Sequence, residues 1–173
     1  MRLTHKIIIA AVIVVGIVGG AGAYYGDSEP EMLIGKITRS DLRQAPYLKW
    51  YQRYEGEYTP AEHADLGSLL KDVDITIILG TWCHDSQREV PHFYKILSSV
   101  GANLKNVTLL AVDKDFKAEG LEVKSYGITN TPTFIFYRRG QEINRIVETP
   151  VISLEQDMHA ILTGEDYRHS KLE

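Results

Sequence analysis

Cysteine occurs once in the 173 residues, as Cys83. A single thiol excludes an internal disulfide framework and any multi-cysteine metal cage. Basic residues are also in short supply, with 19 Lys and Arg against 23 Asp and Glu and a net charge of −4. That balance leaves no basic footprint, so no nucleic-acid partner is expected. The 6 histidines are scattered. Cys83 with His84 or His92 offers no tetrahedral ligand set, so no metal is expected, and no other cofactor. The chain lacks a glycine-rich phosphate loop, a convincing serine–histidine–acid arrangement, an internal repeat and a low-complexity segment. What remains is ordinary for a globular core, at 44% hydrophobic and 24% charged residues. The length suits one domain with an appendage.

One long apolar run exists, from Ile7 to Ala23. Arg2 and Lys6 precede it, and Asp27, Glu29 and Glu31 follow it. Positive charge before the run and acid after it fit an N-inside orientation with the bulk of the chain exported. Two readings stay open. The run is at the short end for an uncleaved anchor spanning a bilayer core of about 30 Å. It is also somewhat long for a signal peptide, although Ala21-Gly22-Ala23 offers a small-x-small cleavage site. No cysteine follows the run, which excludes a lipid-anchored lipoprotein. Either way the working domain is expected outside the cytoplasm, on the periplasmic side, membrane-anchored or secreted.

Further along, Met32–Ile37 is a short strand candidate. Tyr47, Trp50, Tyr51, Tyr54 and Tyr58 are spaced i, i+3, i+4, i+7 and i+11, which predicts a helix with an aromatic stripe docked on a core. Pro46 suits an early helical position. A second short helix is expected from Thr59-Pro60 through Leu66, Leu69 and Leu70. Ile75–Leu79 and Val107–Val112 read as strands buried on both faces. The stretch from Cys83 to about Val100 carries Val90, Phe93, Tyr94, Leu97 and Val100 on one face and reads as a helix, with Pro91 expected to kink it. Residues 115–125 predict a weaker helix. Pro132–Tyr137 and Glu142–Val147 flank Arg138-Arg139-Gly140-Gln141 as an antiparallel hairpin. Ser153 with Gln156 makes a capping box for a last helix that ends near Gly164.

Cys83 therefore stands at a strand-to-helix corner, in Gly80-Thr81-Trp82-Cys83-His84-Asp85-Ser86. Unpaired amides at a helix start stabilise a thiolate, the reactive form of the thiol. Its pKa is expected below the free value of about 8.5. A protonated His84 would lower it further and Asp85 would oppose that. His84 is also compatible with plain solvation, Asp85 with an ordinary helix-start acid, and Cys83 with a buried, inert cysteine.

The strand and helix order, with a Trp-Cys pair at the first such corner, resembles the thioredoxin superfamily over roughly residues 66–165. Trp82-Cys83-His84-Asp85-Ser86 resembles its Trp-Cys-x-x-Cys, with Ser86 in place of the second cysteine. Pro91, eight positions past Cys83, matches the family's helix-kinking proline. Tyr126-Gly127-Ile128-Thr129-Asn130-Thr131-Pro132-Thr133 is similar to the family's segment with a cis proline, and Gly140 falls at its hairpin glycine. The Thr-Trp-Cys-x-Asp-Ser form behind a membrane segment looks like exported thioredoxin-like proteins of some bacteria. The resemblance implies an α/β thioredoxin-like fold, a central mixed sheet flanked by helices. Residues 1–25 would be the signal peptide or anchor, 26–65 a helical extension, 66–165 the thioredoxin-like domain and 166–173 a tail.

The same resemblance implies Cys83 as nucleophile, supported by Trp82, His84, Asp85 and Ser86. Thr131 and Pro132 would face it and form a groove for an extended peptide, and Pro91 and Gly140 would be structural. Ser86 reads either as a hydroxyl donor to the Cys83 thiolate or as a small residue filling the vacant cysteine position. Many family members carry a buried acid six residues before the nucleophile, which here is Ile77. Both departures point away from autonomous dithiol exchange. The expected activity is monothiol thiol–disulfide exchange, by mixed-disulfide formation, isomerisation or removal of a thiol adduct. The expected partners are exported protein thiols or disulfides, or a low-molecular-weight thiol, with the membrane contacted through the N-terminal segment. The alternatives are a peptide-binding, chaperone-like module without thiol turnover, and a sensor that oxidises Cys83 to the sulfenic acid.

Overall fold

Residues 31–118, 120 and 122–172 are described by the computed structural model. The signal peptide or anchor expected at residues 1–25 lies outside them. Among the described residues no helix is long and apolar enough to cross a membrane.

The near-continuous apolar run of β2 (Val73–Leu79) is explained by its two faces. Ile75, Ile77 and Leu79 join the larger core cluster, and Ile78 joins a second cluster on the opposite side. The alternation is the period of two of an extended chain. β2 is central in a five-stranded sheet of order β1-β3-β2-β4-β5. Its neighbours are β3 (Val107–Ala111), parallel, and β4 (Thr133–Arg138), antiparallel. β5 (Gln141–Val147) pairs antiparallel with β4 across the Arg139-Gly140 turn. Both turn residues have positive φ, 54° and 76°. A two-residue hairpin of this hand favours glycine, which accounts for Gly140. β1 (Gly35–Ile37) closes the other edge antiparallel to β3.

The helices cover one face. After a single turn, α1 (Arg39–Leu42), comes α2 (Leu48–Glu57), which packs along α4 (His84–Ser99). α3 (Leu66–Leu69) and α5 (Leu154–Thr163) pack together. Phe93 of α4 stacks on Phe134 of β4 with centroids 4.5 Å apart. The extension shares this core, because Leu42 and Tyr51 are fully buried in it. Ser153 caps α5 by accepting from the Gln156 amide, and Gly164 ends it at φ 79°.

Three expectations need correction. Pro46 precedes α2, in a turn, with a cis peptide bond to Ala45. Thr59-Pro60 starts no helix, since the Ala61 amide donates to the Glu155 carboxylate at 2.9 Å and only Leu66–Leu69 is helical. The described residues of 115–125 form no α-helix. The Asp113 carboxylate takes the amides of Asp115 and Lys117, a side-chain competition that favours turns. Only the 3₁₀ turn Val123–Tyr126 follows. The second face of the sheet is therefore covered, among the described residues, by an irregular segment through Phe116, Ala118, Val123 and Ile128.

Candidate functional site

The register of the sheet assembles the site. Ile78 pairs with Thr133, so the end of β2 and the start of β4 meet at one end of the sheet. The chain leaving β2 reaches Cys83, the chain entering β4 carries Thr131, and the two come together. Cys83 closes a turn by donating its amide to the Gly80 carbonyl at 3.0 Å. It is the N-cap of α4 with extended φ and ψ, and its carbonyl accepts the first helical bond from Gln87. Its side chain caps nothing. The sulfur turns instead to the carbonyl oxygen of Thr131, 3.1 Å away, and is half-buried.

Trp82 is fixed by two contacts. Its indole N–H donates to the Val112 carbonyl at 2.9 Å. Its ring lies so close over Gly80 that a Cβ there would stand 2.5 Å from Cε2. Ser86 is fully buried, and its hydroxyl oxygen accepts from the Gly80 amide at 3.2 Å. It therefore secures the turn before Cys83 and is not bonded to the Cys83 sulfur. Asp85 is engaged by Arg88 at 2.6 Å, and Arg88 also reaches the buried Glu89 at 2.7 Å. Burial works to lower the Arg88 pKa, but the hydrogen bond and charge of Glu89, with Asp85, outweigh it and hold the guanidinium above its ordinary value. His84 is exposed and is bonded through Nε2 to the Tyr54 hydroxyl at 2.9 Å.

Thr131 and Pro132 are buried, and the peptide bond between them is cis. The Pro132 carbonyl accepts from the Glu148 amide at 2.7 Å, and the Glu148 carboxylate accepts from Asn130 and pairs with Lys171. The loop opposite Cys83 is thus braced from the end of β5 and from the tail. Pro91 lies buried inside α4, and Gly140 sits in the hairpin far along β4, so neither is part of the site. Ile77 is fully buried between Leu109 and Phe134 in the sheet and carries no proton. Among the described residues no group of three or more His, Cys, Asp or Glu is placed to hold a metal.

Several site residues escaped the sequence reading. Thr81 is buried, accepts from the Leu33 amide at 3.2 Å, and offers its carbonyl to the Gln87 side chain at 2.8 Å. The extension is thereby tied to the turn that carries Cys83. Tyr54 was read as part of a core stripe, yet it reaches His84. Its position on the stripe, beyond the fully buried Tyr51, was the available signal.

The site thus sets a half-buried cysteine, the N-cap of a helix, against the backbone carbonyl of Thr131. No curated protein matches the chain. Among solved structures, Fasciola hepatica thioredoxin is similar at 19% identity, covering 57% of this chain and 85% of that one, with a TM-score of 0.38. Thioredoxin O2 from Arabidopsis thaliana in the oxidized state is similar at 19% identity over 55% and 82%, with a TM-score of 0.39. A protein of unknown function from Pseudomonas aeruginosa is similar at 17% identity over 68% and 72%, with a TM-score of 0.40. The family model described as Thioredoxin matches residues 68–160, more than half of the chain. On that match this chain belongs to the thioredoxin family, whose fold carries chemistry of the thiol–disulfide oxidoreductase type.

Proposed function

We propose that the chain is an extracytoplasmic, monothiol member of its family, tethered or exported through residues 1–25, that carries out thiol–disulfide exchange at Cys83. One observation carries the reading. The Cys83 sulfur is half-buried and turned to the Thr131 carbonyl, while the position of a second thiol holds Ser86, engaged with Gly80.

The Cys83 thiolate attacks one sulfur of a disulfide on an exported protein. The new S–S bond forms as the old one breaks, and the leaving sulfur departs as a thiolate that takes a proton from water. A low-molecular-weight thiol, or the substrate's own second cysteine, then attacks the mixed disulfide and returns Cys83. An external thiol that attacks the substrate sulfur releases the Cys83 thiolate and leaves a substrate–thiol mixed disulfide. A second molecule of that thiol completes the reduction, the two together giving up two electrons as their own disulfide. With the substrate's own cysteine the disulfide is rearranged and no net electrons move. Ile77 fits this scheme, because no second thiol needs a buried acid to take its proton.

Trapping tests it. The full chain, expressed where disulfides form, is expected to yield intermolecular disulfides to exported proteins that vanish in Cys83→Ser. If Cys83→Ser leaves both the captured partners and the cellular phenotype intact, thiol exchange is overturned and a peptide-binding module takes its place.

A further inference from the structure

Besides the Leu33 tie to Thr81, the extension reaches His84 through the side chain of Tyr54. α2 sets Tyr54 and Tyr58 against His84 and His92 of α4. The Tyr54 hydroxyl lies 2.9 Å from His84 Nε2, with the rings edge-on at 6.0 Å. The same phenol ring meets His92 edge-on at 6.2 Å, and Tyr58 stacks on His92 at 4.2 Å. Tyr58 is in turn bonded to both oxygens of the buried Glu155. Tyr54 is thus held by a packed aromatic row, whereas His84 is exposed, and its hydrogen-bond partner among the described residues is Tyr54.

An exposed histidine at the first position of a helix has several rotamers open to it. The bond to Tyr54 selects one. A phenol donates to the bare Nε2 of a neutral imidazole, which puts the ring proton on Nδ1; a charged imidazolium donates from Nε2 to the phenol oxygen. The bond is therefore open to either form of the ring and keeps it in one place. The other charged or titratable groups around His84 are few. On α4 and its cap they are Cys83, Asp85 and Arg88, the last two paired with each other. From α2 they are Tyr54 itself and Arg53, whose guanidinium lies 5.3 Å over the Tyr54 ring. His92 adjoins through that same ring.

We infer that Tyr54 is a positioning residue for the chemistry of Cys83: from the extension, it fixes the His84 imidazole in the residue adjoining the sulfur, so that the charge of that ring acts on the thiol. This rests on Cys83 being the working nucleophile. Because Cys83 is the only cysteine, iodoacetamide reports on it alone, forming one S–C bond as iodide leaves.

The experiment follows alkylation of the full chain in detergent from pH 5 to 9, in wild type, Tyr54→Phe, His84→Gln and the double variant. Wild type is expected to show, across this range, a step in rate that the thiol alone would not give. His84→Gln removes the step. Tyr54→Phe lowers the rate at pH 6 by about threefold or more, and has no further effect in the His84→Gln background. In ¹⁵N spectra of the imidazole, neutral His84 is expected as the Nδ1–H tautomer in wild type and as a mixture in Tyr54→Phe. A Tyr54→Phe profile that superimposes on wild type overturns the inference, and so does an effect that persists undiminished without His84. A Cys83 that alkylates no faster than in the unfolded chain at any pH overturns the nucleophile reading itself, and this inference with it.

Discussion

The sulfur of Cys83 lies 3.1 Å from the carbonyl oxygen of Thr131, 48 residues further along the chain. Two segments so far apart in sequence meet because β2 and β4 are neighbours with Ile78 opposite Thr133. The site is consequently a property of the sheet register, and a slip of one residue would exchange the side chains of one core cluster for those of the other. Nothing in the contact supplies a second thiol.

The first prediction concerns Ser86. It is fully buried and holds the Gly80 amide at 3.2 Å. A cysteine there is close in size and completes a dithiol with Cys83 along the first turn of α4. Ser86→Cys is expected to raise the rate of insulin disulfide reduction on the order of tenfold over wild type. Turbidity assays with a small dithiol as reductant read it directly. A variant no better than wild type shows that position 86 is not where the second thiol belongs.

Gly80 gives a prediction about packing. A methyl group added there would stand 2.5 Å from Cε2 and 2.7 Å from Nε1 of Trp82. The indole cannot move without giving up its bond to the Val112 carbonyl. Gly80→Ala is expected to cost about 1–3 kcal/mol, the usual range for overpacking, and to shift Trp82 emission to the red. Unchanged stability and emission would mean that the ring has another position available.

The third prediction follows the aromatic stripe to its end. Glu155 is 1% exposed, and two donors balance it, the Tyr58 hydroxyl, which lies 2.9 and 2.8 Å from its two oxygens, and the Ala61 amide. Removing the hydroxyl in Tyr58→Phe leaves a buried carboxylate short of a donor. The expected loss is about 1.5–3 kcal/mol, as for hydrogen bonds to charged groups. It is read as a lower denaturant midpoint at unchanged slope. A loss no larger than that of an exposed tyrosine-to-phenylalanine change would show that Glu155 does not depend on Tyr58.

How much of this was legible in the sequence depends on how local the cause is. The strands at Ile75–Leu79 and Phe134–Tyr137 announce themselves because alternate residues meet two separate clusters of apolar side chains. The corner at Cys83 is equally local, since a strand gives way there to an amphipathic helix. The stretch 115–125 misled because helical spacing is visible in sequence, whereas the pull of the Asp113 carboxylate on the amides of Asp115 and Lys117 is not. Thr59-Pro60 failed for a long-range reason, as the amide of Ala61 goes to Glu155, 94 residues away. Tyr54 belongs to the same class: its spacing gives a helix face, but only the packing of α2 along α4 brings it to His84.

The last prediction concerns alkaline pH. Tyr58, Tyr94 and Tyr167 each have the phenol pKa raised above the ordinary value of about 10. For Tyr58 and Tyr167 burial is the leading cause, followed by the hydrogen bond and charge of Glu155 and of Asp157. For Tyr94 burial leads and Tyr51 adds to it. Below pH ~10 these groups are protonated in folded and unfolded chains alike, and the full stability is present. Above it the unfolded chain releases protons that the folded chain retains, so stability falls as the pH rises. Thermal unfolding is therefore expected at a nearly constant temperature from pH 7 to about 9.5, then at steadily lower temperatures from about pH 10 upward. Tyr58→Phe and Tyr167→Phe should each flatten the decline, because a phenylalanine has no proton to lose from the unfolded state. A decline as steep in both variants as in wild type would assign the alkaline loss to other groups and take away the linkage argued for these tyrosines.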